Sequence, residues 1–403
     1  MKNLLNPARR AALVSAVASA VAIGASAILV ACGGGGGDAG TATPMAAESY
    51  SQGAITGFGS VFVGGVRFDD SAATVADDDG NTKSRSDLKL GMMVEIDAGA
   101  VDRAAASALA LRIRLGNEIV GPVGAINTTA STVVVLGQTV LVTTSTVFDD
   151  TLSGGLSALT AGKVVEVFGI LDPANNRVVA TRIEAEDGAT AYKLRGQIKN
   201  LDTTAKTFTI NGQVISYAGL PAAQVPAGLT NGQIVRVLLQ TVQVGGAWVA
   251  TALRGGLRLP DGRPEAHVEG VITVFTSTSN FEINGLKIDA SRATFPDGNA
   301  DIVLGARVEV DGSVNNGVLV ATKVEVADRR KLELRLLELR GELGNLNTSA
   351  KTFALRGVTV WYGGTVEYVG GTAATLANGG RVEVKGVLSS DRTRLEARRI
   401  EFK

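Results

Sequence analysis

Carboxylates recur in this chain at a fixed place. Glu95, Glu166, Glu309 and Glu383 each follow a valine in a Val-Glu-Val or Val-Glu-Ile segment. Carboxylates placed so evenly are candidates for metal ligands or general bases. Each is followed, on the next apolar run, by a basic residue two positions after an alanine: Arg112, Arg182, Lys323 and Arg399. The copy with Arg236 in the glutamate's place has Ala252 in the basic one. Cross-strand ion pairs on a solvated face ask for this covariation, each contributing about 0.2–1 kcal/mol. The expectation is therefore structural: each Glu faces a base on the neighbouring strand.

The other reactive side chains are thin. His267 is the one histidine, and it falls on what reads as a solvated strand position, three residues before Gly270. Without a second imidazole the usual histidine metal sites and Ser-His or Cys-His pairs cannot be assembled. Asp77, Asp79 and Asn81 in Asp-Asp-Asp-Gly-Asn are the one weak Ca²⁺ candidate; the glycine comes too early for an EF-hand loop, and the run reads better as an acidic hairpin tip. Trp361, Tyr362 and Tyr368 cluster near the C-terminus. If exposed they would stack on a sugar or a peptide, although core packing is the commoner role of such residues. Phe208, Phe281 and Phe353 fall four before a glycine and are expected in the core. No cofactor is implied, and the chain is not expected to be an enzyme.

These residues ride on a repeat. Gly-x-x-Val-Glu-Val begins at Gly91, Gly162, Gly232 (with Arg236 for Glu), Gly305 and Gly379, 70–74 residues apart, and Ala-x-x-Ile follows each. An earlier pair of glycines, Gly121/Gly137, Gly196/Gly212, Gly270/Gly285 and Gly341/Gly357, brackets an alternating segment; in three of the four pairs it contains an Asx-Thr turn such as Asp202-Thr-Thr-Ala. Each copy thus holds a hairpin, a single strand and a second hairpin. A sheet of five short strands buries its edges best by closing on itself. The fold class is all-β: five tandem small OB-like five-stranded β-barrels. The expected divisions are 50–116, 117–187, 190–258, 265–327 and 332–403, with the first copy atypical. Leu332, Leu336 and Leu339 leave a helix open in the last linker, but Leu339-Arg340-Gly341 matches Leu194-Arg195-Gly196 and favours a strand.

Residues 1–31 carry Lys2, Arg9 and Arg10, no acid, and an apolar run from Ala11 to Val30. With Ala31 and Cys32 this resembles a bacterial lipoprotein signal, cleaved before a cysteine that then receives lipid. The resemblance implies lipidation at Cys32. Gly33 in place of an aspartate implies the outer membrane. Residues 32–49, rich in Gly and Ala, read as a flexible tether. Formal net charge is +0, and removing the first segment leaves a small negative balance. Such a surface has no footprint for nucleic acid.

The consensus from the paired glycines to Ala-x-x-Ile-Glu resembles a domain-of-unknown-function family whose members occur in tandem in bacterial exported lipoproteins and look OB-like. It covers about residues 50 to 403 and carries over no activity or ligand. The expected function is a lipid-anchored, non-catalytic binding or scaffolding array, its partners the membrane and another envelope protein or a polysaccharide. The alternative is a passive spacer.

Overall fold

The computed structural model describes residues 47–256, 259–327, 337–389 and 394–403. The segment expected to be a signal, Cys32 and most of the expected tether lie outside them, as do residues 328–336 of the ambiguous linker. Leu337–Asn347, which follows that linker, is a strand.

The fourth repeat shows the plan. Its strands are Arg263–Ser277, Asn280–Ile283, Leu286–Asp289, Arg307–Asn315 and Val318–Val326. Strand one pairs with two, two with three, three runs parallel to five, five pairs with four, and four returns to one. The barrel is closed. The same order recurs in the first, second and fifth repeats, where the parallel closing pair is Arg67–Asp69 on Ser107–Leu109, Thr139–Val142 on Arg177–Ala180, and Val360–Trp361 on Leu395–Glu396. Residues 192–255 follow it too, closing at Ile215–Ser216 on Trp248–Val249. Among the described residues no helix is long and apolar enough to cross a membrane.

Two sets of glycines have distinct physical reasons. Those of the turn between strands two and three have positive φ, as do the residues before them: Leu136-Gly137, Asn211-Gly212, Asn284-Gly285 and Arg356-Gly357. That is the two-residue turn whose twist matches the flanking strands. The glycine of strand one instead makes room. A Cβ on Gly196 or Gly270 would lie 2.4 or 2.3 Å from Cγ2 of Ile210 or Ile283 on the second strand. A barrel this narrow needs small residues opposite large ones.

Strand one also joins the barrels. Its N-terminal half pairs with strand four of its own barrel and its C-terminal half turns to strand two, which leaves one edge of the first half open. In four of the barrels another first strand covers that edge: Ser49–Gln52 lies parallel on Glu265–Val268, and Lys193–Leu194 antiparallel on Val120–Ile119. The short continuation of the first barrel's opening strand, Gly57–Phe58, lies parallel on Glu338–Leu339 of the fifth. Covering an unpaired edge satisfies its N–H and C=O groups. Hydrophobic cores merge accordingly. Repeats one and five share one cluster and repeats two and three another, while Tyr50 of the first repeat enters the core of the fourth.

The expected ion pairs are on the right face but two residues out of register. Glu95 lies opposite Arg114, not Arg112; Glu166, Glu309 and Glu383 lie opposite Glu184, Glu325 and Glu401. Arg236 faces Arg254, so the apparent avoidance of like charges was a coincidence of spacing. The bases sit opposite the residue two beyond the Glu, as in Asp97 with Arg112 and Asp311 with Lys323. The fifth strand carries one extra residue after its alanine, a bulge that the spacing does not reveal. Lysines and arginines relieve the like-charged pairs: Lys403 Nζ reaches both Glu383, at 3.0 Å, and Glu401, at 2.5 Å.

Gly270→Ala is expected to cost about 1–3 kcal/mol by overpacking, and Ile283→Ala about 2–5 kcal/mol through its cavity. Urea unfolding of the double variant should show a loss smaller than the sum. Additive losses would mean that the glycine does not serve to admit Ile283.

Candidate functional site

Three residues before the first-strand glycine stand Tyr50, Glu118, Lys193, His267 and Glu338. That position read as solvated. It is instead where the barrels meet: Tyr50, Glu118 and Lys193 are buried, and His267 and Glu338 partly so. Edge-to-edge pairing of first strands places these side chains at the seam.

At the seam of repeats one, two and three, six charges are enclosed. The first repeat sends in the acidic tip, Asp78 and Asp79. The third supplies Lys193, Arg195 and Arg236, and the second supplies Glu118. Lys193 Nζ lies 2.8 Å from Asp78 Oδ1 and 2.6 Å from Asp79 Oδ2. Arg236 holds Asp78 and, at 3.1 Å, Asp79 Oδ1. Arg195 lies 3.5 Å from both Asp78 and Glu118. The Asp78 and Lys193 side chains are each 6% exposed. Three cations balance three anions, which is the condition for keeping such a set out of water. Burial pushes the Glu118 carboxyl upward against the pull of Arg195.

This cluster explains the acidic run. Asp77 closes the turn, its Oδ1 accepting from the Asp79 and Asn81 amides at 3.0 and 2.8 Å and its Oδ2 from Asn81 Nδ2 at 2.8 Å. Burial alone would raise its pKa, but these bonds hold it below the usual carboxylate range. Two of the three Ca²⁺-candidate side chains are thus bonded to each other, and the third, Asp79, is held by cations. Among the described residues no group of three or more His, Cys, Asp or Glu is placed to hold a metal.

The remaining candidates scatter. Tyr362 is 4% exposed and packs on Phe353 at 5.8 Å, as Tyr217 packs on Phe208 in the third repeat. It is core and offers no outward ring. Trp361 is half-buried under Arg394, whose guanidinium lies 4.9 Å from the ring. Tyr368 lies on the short strand Glu367–Val369 and is half-buried. Phe208, Phe281 and Phe353 are buried as expected. His267 is a seam residue: its Nδ1 lies 2.8 Å from Asp311 Oδ1, and the backbone of Gly64 from the first repeat sits on its ring. Burial lowers its pKa, but the bond to Asp311 more than compensates and leaves it raised. Asp311, which burial alone would raise, is held down at about 2 by His267 and Lys323.

Two features were not foreseen. A cavity of about 180 Å³ lies where repeats one, two, four and five meet. Ile55, Val147, Val179 and Leu388 line it, with Thr181 Oγ1 and Arg307 Nε as buried atoms without a hydrogen-bond partner. Nothing in the repeat pattern could have shown it, because residues from four copies build it. The second is Glu166, raised to about 7. Burial is the main cause, and Glu184 and Glu186 add to it against the hydrogen bond from Asn117. Arg182, the base expected for it, is spent on Glu184 at 2.6 Å. A carboxyl titrating near neutrality suits a general acid, but Glu166 does not line this cavity.

Residues 52–114, 120–184, 269–325 and 341–401, more than half of the chain, match one family model, described as Domain of unknown function (DUF5666). The third barrel is not among the matched segments. No curated protein matches the chain in sequence.

Removing one cation from the six-charge cluster strands a buried carboxylate. Arg236→Met is expected to cost about 3–5 kcal/mol, while Arg254→Met, at the exposed rim, should stay within about 0.5 kcal/mol; urea midpoints compare them. For Glu166 the folded pKa lies above the ordinary 4.5, so the folded state favours the proton. Its contribution is intact below about pH 4.5 and is lost as pH rises toward 7. Glu166→Gln should match the parent at pH 4 and exceed it by about 1–3 kcal/mol at pH 8. Equal stability of the two proteins at pH 8 would refute the shift.

Proposed function

This chain belongs to the DUF5666 family, and from that premise we propose that it is a lipid-anchored, non-catalytic binding and scaffolding body of the bacterial envelope, held at the outer membrane through Cys32. The observation that carries the reading is the seam. A spacer gains length from units that touch only their chain neighbours. Here the first barrel pairs with the fourth and the fifth, and its acidic tip is locked into the third. Five barrels held together by shared strands, merged cores and a neutral charge cluster present their surfaces at fixed positions, which favours binding over reach. The thin supply of acid–base and nucleophilic groups fits a role without chemistry. The partner is another envelope protein or a polysaccharide, not nucleic acid.

In-cell crosslinking of the native protein, followed by mass spectrometry, should capture a discrete partner. Cys32→Ser should move the protein from the membrane to the soluble fraction and remove bystanders while keeping that partner. Deleting residues 265–327 should abolish the cooperative unfolding transition, because the first strand loses its cover. A deletion variant that folds and localises like the parent would favour the spacer instead.

A further inference from the structure

The cavity at the junction of repeats one, two, four and five has a volume of about 180 Å³. A dry cavity of about 150 Å³ between apolar side chains takes up benzene, so this one has room for a substituted ring or a short acyl segment. Ile55, Val147, Val179, Leu337 and Leu388 supply much of its wall, and Arg307 is the one charged residue on it. Thr144 is the one exposed residue of the lining and marks the mouth.

Part of that wall is the fifth-strand bulge of the second barrel. Register shifts there between the pairs Phe168–Arg182 and Gly169–Ala180, so Thr181 is the extra residue. The corresponding residues of the third, fourth and fifth barrels, Thr251, Thr322 and Arg398, are exposed, and Leu111 of the first is half-buried. Thr322 Oγ1 donates back to the Asp311 carbonyl at 3.1 Å. Thr181 makes no such bond. It is 8% exposed, it lines the cavity, and its Oγ1 has no hydrogen-bond partner. Bulges re-aim side chains in this way beside functional sites. From the fourth barrel, Arg307 gives one terminal guanidinium nitrogen to Glu269, which is 1% exposed, and its buried Nε has no partner either.

We propose that this cavity binds a small uncharged molecule, mostly hydrocarbon, that carries a carbonyl or ether oxygen. Each property has its own cause. Thr181 Oγ1 and Arg307 Nε both have a proton to donate, and a buried donor left without an acceptor is costly. The hydrocarbon body follows from the apolar wall, along which water would lack the two to four polar partners it needs. Neutrality follows from the charges. Glu269 balances Arg307, and Glu309 stands opposite Glu269 in register, so an anion would be buried without a cation of its own among the described residues. A cationic ligand would meet Arg307.

Isothermal titration of the full chain, carrying Cys32→Ser and kept free of detergent, tests the proposal with acetophenone, ethylbenzene and benzoate as probes. Acetophenone should bind once per chain. Ethylbenzene has the same ring without the acceptor and should bind about tenfold more weakly, and benzoate at neutral pH should not bind. Thr181→Val keeps a similar shape and removes the hydroxyl; it should weaken acetophenone about fivefold and leave ethylbenzene unchanged. Val179→Phe fills the cavity and should abolish binding of both. If that variant fails to fold, Thr181→Val decides alone, through the ratio of the two affinities. The proposal is overturned if no probe binds, which would leave the cavity to water, if ethylbenzene binds as tightly as acetophenone, or if benzoate binds. It is equally overturned if acetophenone binds Thr181→Val as it binds the parent, or still binds a folded Val179→Phe. None of these outcomes bears on the partner sought by crosslinking.

Discussion

The open edge of each first strand is the constraint from which the rest follows. A five-stranded barrel closes only if strand one serves two neighbours, strand four along its first half and strand two along its second. The first half then has a row of backbone groups with no partner inside the barrel. An isolated small barrel would leave that row to water or to another chain. Here the barrels cover one another's edges, and the side chains beside the edge become interior. Merged cores and the six-charge cluster are consequences of that pairing.

The electrostatics of the seam show why its charges come as a set. Each ion buried there loses several kcal/mol of hydration, which a single partner seldom returns. With Lys193, Arg195 and Arg236 facing Asp78, Asp79 and Glu118, each charge has an opposite neighbour. Such a cluster adds little net stability, but it admits one arrangement of the three barrels. Glu166 marks the edge of this balance: its expected base is committed to Glu184, and its proton is the remaining means of neutralising it.

The third barrel is tied inward by charge, with Lys193, Arg195 and Arg236 all reaching carboxylates at the seam. Lys199, Lys206 and Arg254 of the same barrel are exposed, and its Trp248 is braced on Tyr192 and Gln213. This copy, which the family model does not match, keeps the strand order of the others.

The strand count, the closed all-β unit, the Asx turns and the phenylalanine core were legible in the sequence, because each is local. Alternation has period two, Asp202 and Asn347 bond amides two and three residues on, and Gly212 follows a turn residue with positive φ. What tertiary structure decided was everything that depends on register and neighbours. A bulge after Ala321 places Lys323 opposite Asp311 rather than Val310, on the same face as Glu309 but two residues from it, and no spacing records a bulge. Position three before the glycine looked solvated because it alternates with core residues; pairing with another barrel buried it. The one sign available was that this position reads Tyr, Glu, Lys, His and Glu across the copies. A seam must complement a different partner in each copy, but a surface position varies as freely, so the variation alone did not mark the seam.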